Sequence, residues 1–438
     1  MLMTRCKAWL RNVVSSVLVA LLPAMTAQAY TSVQDTVVAC TQESCAEESI
    51  ESGDTLCVDT LSETAHSSLP WPQSLRADID SIVAKSTFLN TSQLGLMVYD
   101  LTDDTVLYTL GEKQTLRPAS TMKLLTAVTA LDKLGSAYLY KTRLCHTGTV
   151  VDSVKTLEGD IYIIGGMDPR LGRDDLRSFA MAVKELGVDT IRGNVYADRT
   201  MKDSDLLGEG WCWDDDNPVL SPLVYGRKDK MLERFGSVLA DAGIYLDGEL
   251  LEKACPSGAK ELCVQTHTIE QILHRMMKDS DNLYAESMFY QIGLTKGSPS
   301  TARKAKAVME ALLRKMGLNK QPHRFADGSG LSLYNYVSAE MEVAFLRYAY
   351  NNTDIYSNLR PALPVAAVDG TLEKRMARTA AAGNVHAKTG TLTGISSLAG
   401  YCTAVNGHDL CFAIINQGVM KSAVAKAFQD KVCAAMCR

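Results

Sequence analysis

Nowhere in the 438 residues is there the stripe of lysine and arginine that nucleic acid or an anionic membrane surface requires. The 45 basic and 50 acidic side chains are interspersed and leave a formal charge of -5, so neither partner is expected. His-Glu-x-x-His is also missing, and the seven histidines include no close pair at ligand spacing. A metallopeptidase is therefore not expected, nor is a cofactor. Beyond the N-terminus no apolar run approaches the roughly 20 residues that a spanning helix needs, so no stable membrane span is expected. No internal repeat is visible.

What is present begins at the N-terminus. Arg5, Lys7 and Arg11 precede the apolar run Val13–Met25 and the small-x-small triplet Ala27-Gln28-Ala29. Residues 1–29 therefore read as a signal peptide, and the protein as exported, periplasmic or extracytoplasmic. Val38-Ala39-Cys40 is a weaker lipidation reading, because it follows Asp35 instead of closing the apolar run. Removing Cys6 leaves eleven of the twelve cysteines, an odd number for an oxidising compartment, so at least one stays free or pairs between chains. Strands at Leu398–Val405 and His408–Ile415 around Asn406-Gly407 predict a two-residue type I′ turn. That turn sets Cys402 directly opposite Cys411 in a non-hydrogen-bonded pair, where a disulfide and two adjacent buried thiols are equally compatible. Cys40, Cys45 and Cys57 offer further pairings that spacing does not decide.

Residues 30–70, rich in Ser, Thr, Asp and Glu, read as a loosely ordered leader. From Trp71 the pattern gives a helix at Leu75–Ala84, a hairpin of Leu94–Leu101 with Thr105–Leu110, and a helix from Ser120 to Leu134. Short strands at Thr142–Thr147, Asp160–Ile164 and Thr190–Tyr196 with a helix at Asp174–Leu186 mark an inserted unit ending near Tyr225. Helical spacing returns at Lys230–Ala242, at Ile269–Gly293 with a break at Ser280-Asp281-Asn282, and at Ser300–Gly317. A strand at Val385–Lys388, the hairpin and a helix from Ser422 close the chain. The expected architecture is α+β, an antiparallel sheet with helices packed on it. Residues 71–137 and 226–438 form its main domain, and 138–225 one smaller inserted α/β domain.

Ser120-Thr121-Met122-Lys123 places a hydroxyl and an amine on one face at a helix N-terminus. A lysine held dry against a serine loses basicity until it can take the hydroxyl proton, and the helix end favours developing negative charge. The spacing alone is weak, since Ser257-Gly258-Ala259-Lys260 repeats it, though with Pro256 and Gly258 around it and no helix after it. Two further elements raise its weight. Ser280-Asp281-Asn282 is the only Ser-x-Asn and Lys388-Thr389-Gly390 the only Lys-Thr-Gly in the chain.

Ser-x-x-Lys, Ser-Asp-Asn and Lys-Thr-Gly in this order form the signature of penicillin-binding proteins and serine β-lactamases. From Leu94 to Gln417 the chain most resembles the class C low-molecular-mass penicillin-binding proteins, the D-alanyl-D-alanine carboxypeptidase/endopeptidase family. The likeness rests also on Arg117-Pro118-Ala119, Gly165-Gly166-Met167-Asp168-Pro169, Trp211-Cys212-Trp213-Asp214-Asp215, Asp327-Gly328-Ser329-Gly330-Leu331-Ser332 and His386-Ala387 before the last motif. It implies a transpeptidase-like catalytic domain, peptidoglycan stem peptides as substrate and β-lactams as covalent inhibitors. It implies, too, that Ser120 is the nucleophile, Lys123 its base and Ser280 the relay to the leaving amine. Asn282 would hold the substrate amide, Lys388 and Thr389 the terminal carboxylate, on an edge strand with Gly390. The N–H groups of Ser120 and Thr391 would form the oxyanion hole. Asp168 would either receive the amino group of the stem peptide's diamino acid or cap a turn before Pro169. For the Asp327–Ser332 loop a purely structural role is preferred.

Two departures stand out. Leu333 follows Ser332 where the family carries arginine, and the interval from Lys123 to Ser280 is short, which predicts one inserted domain instead of two. A serine β-lactamase remains an alternative, although no counterpart of the class A deacylating glutamate is visible. So does a penicillin-binding sensor or wall-binding module that acylates without turnover.

Overall fold

The computed structural model describes residues 69–212 and 217–438. The signal peptide expected at 1–29, the expected leader up to residue 68 with Cys40, Cys45 and Cys57, and residues 213–216, which include Trp213, Asp214 and Asp215 of the tryptophan motif, lie outside them.

The chain opens on α1 (Gln73–Ala84), β1 (Gln93–Asp100), β2 (Thr105–Leu110) and α2 (Met122–Leu134). There follow β3 (Leu139–His146), β4 (Thr149–Val151), β5 (Thr156–Glu158), β6 (Ile161–Ile164), α3 (Arg173–Lys184), β7 (Thr190–Arg192) and β8 (Val195–Asp198). Beyond β8 come α4 (Met231–Asp241), β9 (Tyr245–Asp247), β10 (Leu250–Glu252) and β11 (Lys260–Thr268). The last part holds α5 (Ile269–Lys278), α6 (Asn282–Leu294), α7 (Ala302–Lys315), α8 (Ala339–Tyr350), α9 (Thr353–Ala362), β12 (His386–Leu392), β13 (Ile395–Thr403), β14 (Asp409–Gln417) and α10 (Ser422–Met436).

The expected α+β architecture is what forms. Its sheet is antiparallel throughout, in the order β12-β13-β14-β1-β2. Because strand side chains alternate, Leu96, Val98, Leu398 and Ile414 meet Leu75 and Ile79 of α1 and Phe428 and Val432 of α10 on one face. Met97, Tyr401 and Ile415 meet Leu125 of α2, Met288 of α6 and Phe345 of α8 on the other. Both faces being covered, β1, β13 and β14 are buried along almost their whole length, and helices α2 and α6 are buried almost all round.

The insertion is larger than the sequence suggested. Strand β11 pairs with β3, β10 with β8 and β9 with β7, while Phe235 and Leu239 of α4 pack into the same core as Phe179 of α3. The boundary expected at 225 therefore falls at 268, and one insertion holds two sheets. The expected single strand Thr190–Tyr196 divides at Gly193, where the chain passes from the smaller sheet to the larger one. A Cβ on Gly193 would lie 2.2 Å from the Gly159 carbonyl oxygen, and one on Gly248 1.9 Å from that of Gly193. Only glycine lets these three crossings stack.

The terminal hairpin also differs. Its loop is the three residues Val405, Asn406 and Gly407, with Gly407 at φ 87 and Ala404 N–H bonded to the His408 carbonyl. This longer loop moves the register by one residue, and a one-residue slip turns a side chain to the other face. Cys402 thus opposes Leu410, and Cys411 opposes Tyr401. Both thiols are buried and free, one in each core, so neither the bridge nor the adjacent pair expected from the sequence forms.

Candidate active site

Three backbone devices bring the signature motifs together. A single 3-10 turn, Ala119–Thr121, leads into α2 and places Ser120 half-exposed one turn before Lys123. Between α5 and α6 the chain reverses at Ser280, which takes a left-handed φ of 58. Asp281 then caps α6 by accepting from Leu283 N–H at 3.0 Å. Asp281 is also the anchor of this corner, paired with Arg227 at 2.9 Å and Arg275 at 3.3 Å. The cap leaves Asn282 as the first helical residue, half-buried beside Lys123. The third device is β12, which occupies the edge of the sheet with Lys388, Thr389, Gly390 and Thr391 on it.

Lys123 is fully buried, with Nζ at 2.9 Å from Ser120 Oγ, 2.7 Å from Asn282 Oδ1 and 2.8 Å from the Ser329 carbonyl oxygen. The last two atoms can only accept. A neutral amine spends its two N–H groups on them and keeps its lone pair for the serine hydroxyl. Burial drives Lys123 down to about 8, against the opposing charges of Asp327, Glu286 and Asp281. Relative to an ordinary lysine, that raises the neutral fraction at pH 7 by about 300-fold. Lys388 is fully buried as well, 2.8 Å from Ser280 Oγ and 2.8 Å from the Thr389 carbonyl oxygen. Burial and the nearby charge of Lys123 push it well below the usual lysine range. The two lysines thus face one cleft through the two serines.

Gly390 is where β12 touches the nucleophile's turn. A Cβ there would lie 2.1 Å from Ser397 Oγ, 2.7 Å from the Pro118 carbonyl oxygen and 2.9 Å from Ser120 N. Gly330, at φ 79, approaches the same turn from the opposite side, its added Cβ falling 1.8 Å from the Ala119 carbonyl oxygen. The Asp327–Ser332 loop is therefore more than scaffolding, since it supplies the Ser329 carbonyl to Lys123. Asp327 folds it by accepting from Gly330 N–H and Ser332 N–H, each at 2.7 Å. Trp211 fastens the loop from the insertion side, its indole N–H donating to Asp327 at 2.8 Å.

Three contributors carry no recognisable motif. Glu286, one turn beyond Asn282, accepts from Ser329 N–H at 2.7 Å and from Gly328 N–H. Burial, with the charge of Asp327, raises it to about 8. Thr371 meets Thr389 hydroxyl to hydroxyl at 2.7 Å. Glu342 contacts Thr121 from α8. A side chain four residues after Asn282 on a helix lies on the same face, but nothing in that spacing says that its carboxyl reaches the Ser329 loop.

Asp168 lies apart from this cluster. Its Oδ1 accepts from Arg170 N–H at 2.9 Å, the contact of a turn cap, and its Oδ2 faces His267 Nδ1 at 2.6 Å. Asp168 in turn raises the pKa of His267. Gln291 of α6 donates to the Gly166 carbonyl at 2.5 Å, tying this motif to the helix that begins at Asn282. At the Leu333 departure the side chain is exposed, while its carbonyl accepts from Arg117 Nε at 2.9 Å.

A serine with a buried, weakly basic lysine at a helix start, a Ser-x-Asn corner and a lysine-bearing edge strand meet in one cleft, on a fold of the penicillin-binding-protein class. The chain belongs to the D-Ala-D-Ala carboxypeptidase 3 (S13) family, whose model matches residues 75–226 and 223–436, and it is a serine-type D-Ala-D-Ala carboxypeptidase. It is 29% identical to a D-alanyl-D-alanine carboxypeptidase of an Actinomadura species, over 78% of this chain and 81% of that one. With the Haemophilus influenzae D-alanyl-D-alanine carboxypeptidase DacB it shares 24% identity over 73% of this chain and 84% of the other. The crystal structure of penicillin-binding protein 4 (dacB) from H. influenzae superposes with a TM-score of 0.75 at 22% identity, covering 81% of this chain and 98% of that one. That likeness establishes the penicillin-binding-protein fold. Among the described residues no helix is long and apolar enough to cross a membrane.

Proposed function

We propose that the enzyme hydrolyses the terminal D-alanyl-D-alanine bond of peptidoglycan stem peptides through an acyl-enzyme on Ser120, and that β-lactams acylate the same serine. The observation that carries this reading is the position of Lys123 Nζ, held by two carbonyl acceptors with its lone pair toward Ser120 Oγ. Ser120 Oγ attacks the carbonyl carbon of the penultimate D-alanine as its proton passes to Lys123. Ser280, bridged to Lys388, gives its hydroxyl proton to the leaving amine nitrogen as the C–N bond breaks and takes up the proton that Lys123 holds, which leaves Lys123 neutral again. Water then cleaves the ester by the reverse relay. The N–H groups of Ser120 and Thr391 take the oxyanion, and one such donor is worth about 2.7–4 kcal/mol of barrier. Asn282 holds the substrate amide. Lys388 and Thr389 take the terminal carboxylate, whose charge would restore the proton that burial makes Lys388 reluctant to keep. Gly390 keeps β12 against the nucleophile so that the peptide can add as a further strand. The H. influenzae protein has been crystallised in complex with a β-lactam, in keeping with acylation as part of this reading. Export is part of the proposal too, resting on the charged and apolar pattern of residues 1–29.

The test is D-alanine release from a muramyl pentapeptide measured beside fragment release from cross-linked muropeptides. Steady release of D-alanine supports the carboxypeptidase, and fragments as well add endopeptidase activity. Neither product from a protein that binds penicillin would leave a sensor. We further propose that Asp168 receives the amino group of the stem peptide's diamino acid in exchange for His267. Asp168→Asn should then raise KM for diaminopimelate peptides about tenfold, the effect of one lost charged contact of about 1.4 kcal/mol. An unchanged KM would confine Asp168 to its turn.

A further inference from the structure

Behind the nucleophile lies a carboxyl group that the reaction scheme does not use. Glu342 on α8 is completely buried, and its Oε2 has no hydrogen-bond partner. Its Oε1 meets Thr121 Oγ1, the hydroxyl of the residue that follows Ser120. Thr121 Oγ1 lies 2.8 Å from the Pro118 carbonyl oxygen, and Ser397 Oγ 2.5 Å from the same atom. Counting protons fixes the directions. The Pro118 oxygen only accepts, so both hydroxyls donate to it, and Thr121 has no second proton for Glu342. Glu342 must be the donor, which requires the neutral acid. An ionised Glu342 would draw the Thr121 proton away from Pro118 and stand as a buried charge without a cation.

What this chain of bonds holds is strained. Ala119, between Pro118 and Ser120, sits at φ 50, a left-handed conformation that a non-glycine residue keeps only when its surroundings over-determine it. The Pro118 carbonyl is fixed by Thr121 and Ser397, the latter paired with Gly390 across β12 and β13, and Thr121 is fixed by Glu342.

We propose that Glu342 is a positioning residue for Ser120, a neutral acid that donates to Thr121 and through it clamps the Pro118 carbonyl and the strained turn before the nucleophile. Burial raises Glu342 to about 8, and a bond that only the neutral acid can donate favours the same form. Ionisable groups on the elements packed against it are engaged elsewhere: Lys123 with Ser120, Asp132 with Lys315, Asp100 with His408 and Tyr401 with the Leu346 carbonyl. On β14 Cys411 stays a neutral thiol, raised by burial, and on α9 Arg360 lies beside His386. The clamp therefore opens as pH rises through the alkaline range.

The inference rests on Ser120 being the acylated serine, and its test separates the two. Acylation by a fluorescent penicillin is followed from about pH 6 to about pH 10 in wild type, Glu342→Gln and Glu342→Met, with melting temperatures alongside. In wild type the rate climbs as Lys123 loses its proton and falls as Glu342 loses its own. Gln, a permanent donor, should keep the rising limb, hold the maximal rate within about threefold and lose the falling limb. Met, which keeps the volume without the donor, should acylate about 10- to 100-fold more slowly at every pH, as a misplaced reacting group does. A falling limb retained by Glu342→Gln overturns the proposal, as does a folded Met variant with the wild-type rate. Failure of the Ser120 reading would show separately, as wild type taking no adduct at any pH. The clamp would then be judged from stability. A carboxyl at about 8 when folded and near 4.5 unfolded binds its proton more tightly in the native state, so stability falls as pH rises between those values. Glu342→Gln should make that fall shallower by one proton, and equal slopes contradict the neutral acid.

Discussion

Replacing Lys123 with methionine should slow acylation by penicillin and release of D-alanine by about 10²- to 10⁴-fold, the usual contribution of a positioned general base, without lowering the melting temperature. The expected stability follows from burial. Lys123 is wholly enclosed and its ammonium form is disfavoured there, whereas methionine fills similar space without that penalty. The Asn282 and Ser329 oxygens lose a donor each, which offsets part of the gain. Rate and stability should therefore part company, and a variant that lost activity by unfolding would show both falling. The wild-type rate should climb about tenfold per pH unit below about pH 8, since the unprotonated amine is the active form. Lys123→Met should remove that climb. If the pH dependence survived, the proton would be leaving Ser120 by another route.

Gly390→Ala is expected to reduce acylation by at least about 100-fold although it removes no reacting group. The new methyl would meet Ser397 Oγ, the Pro118 carbonyl oxygen and Ser120 N at 2.1, 2.7 and 2.9 Å. The serine side chain can rotate, but the other two atoms are backbone of the turn that aims the nucleophile, so either β12 or that turn must move. A displacement of about 1 Å from the attack geometry costs on the order of 100-fold, and overpacking costs about 1–3 kcal/mol of stability. The same substitution at Gly383, where φ is 71 and nothing lies within 4 Å, controls for backbone strain alone. It should lower the melting temperature modestly and leave acylation intact. Equal rates for Gly390→Ala and wild type would mean that β12 does not set the turn.

Much of this site was legible because its chemistry is local. The break between α5 and α6 announced itself as Ser280-Asp281-Asn282, and the pair Ser120 and Lys123 needed only helical spacing. Glu286, Glu342 and Thr371 escaped because each acts through a tertiary contact that no spacing encodes, with partners 43, 221 and 18 residues away. The fold shows the same division. Periodicity gave the hairpin of β1 and β2, α2 and the terminal helix, yet α8 and α9 were passed over. For α8 a signal existed: Ser338 accepts from Met341 N–H as a cap, ahead of the apolar positions Phe345, Leu346 and Ala349. The insertion's true end was hidden since β9, β10 and β11 are short or half-exposed and gain their place only by pairing with strands up to 129 residues earlier. In the terminal hairpin Asn406-Gly407 was read as the whole turn, although a three-residue loop ending in left-handed glycine uses the same two residues. That single step carried Cys402 and Cys411 to opposite faces.

The most direct test of the central claim is the intact mass of the protein after incubation with penicillin, in wild type and Ser120→Ala, with the adduct located by peptide mapping. One penicillin per chain on the peptide that holds Ser120, and none on the alanine variant, is the predicted result. An adduct that persists in Ser120→Ala, or maps elsewhere such as the second Ser-x-x-Lys at Ser257, would contradict it.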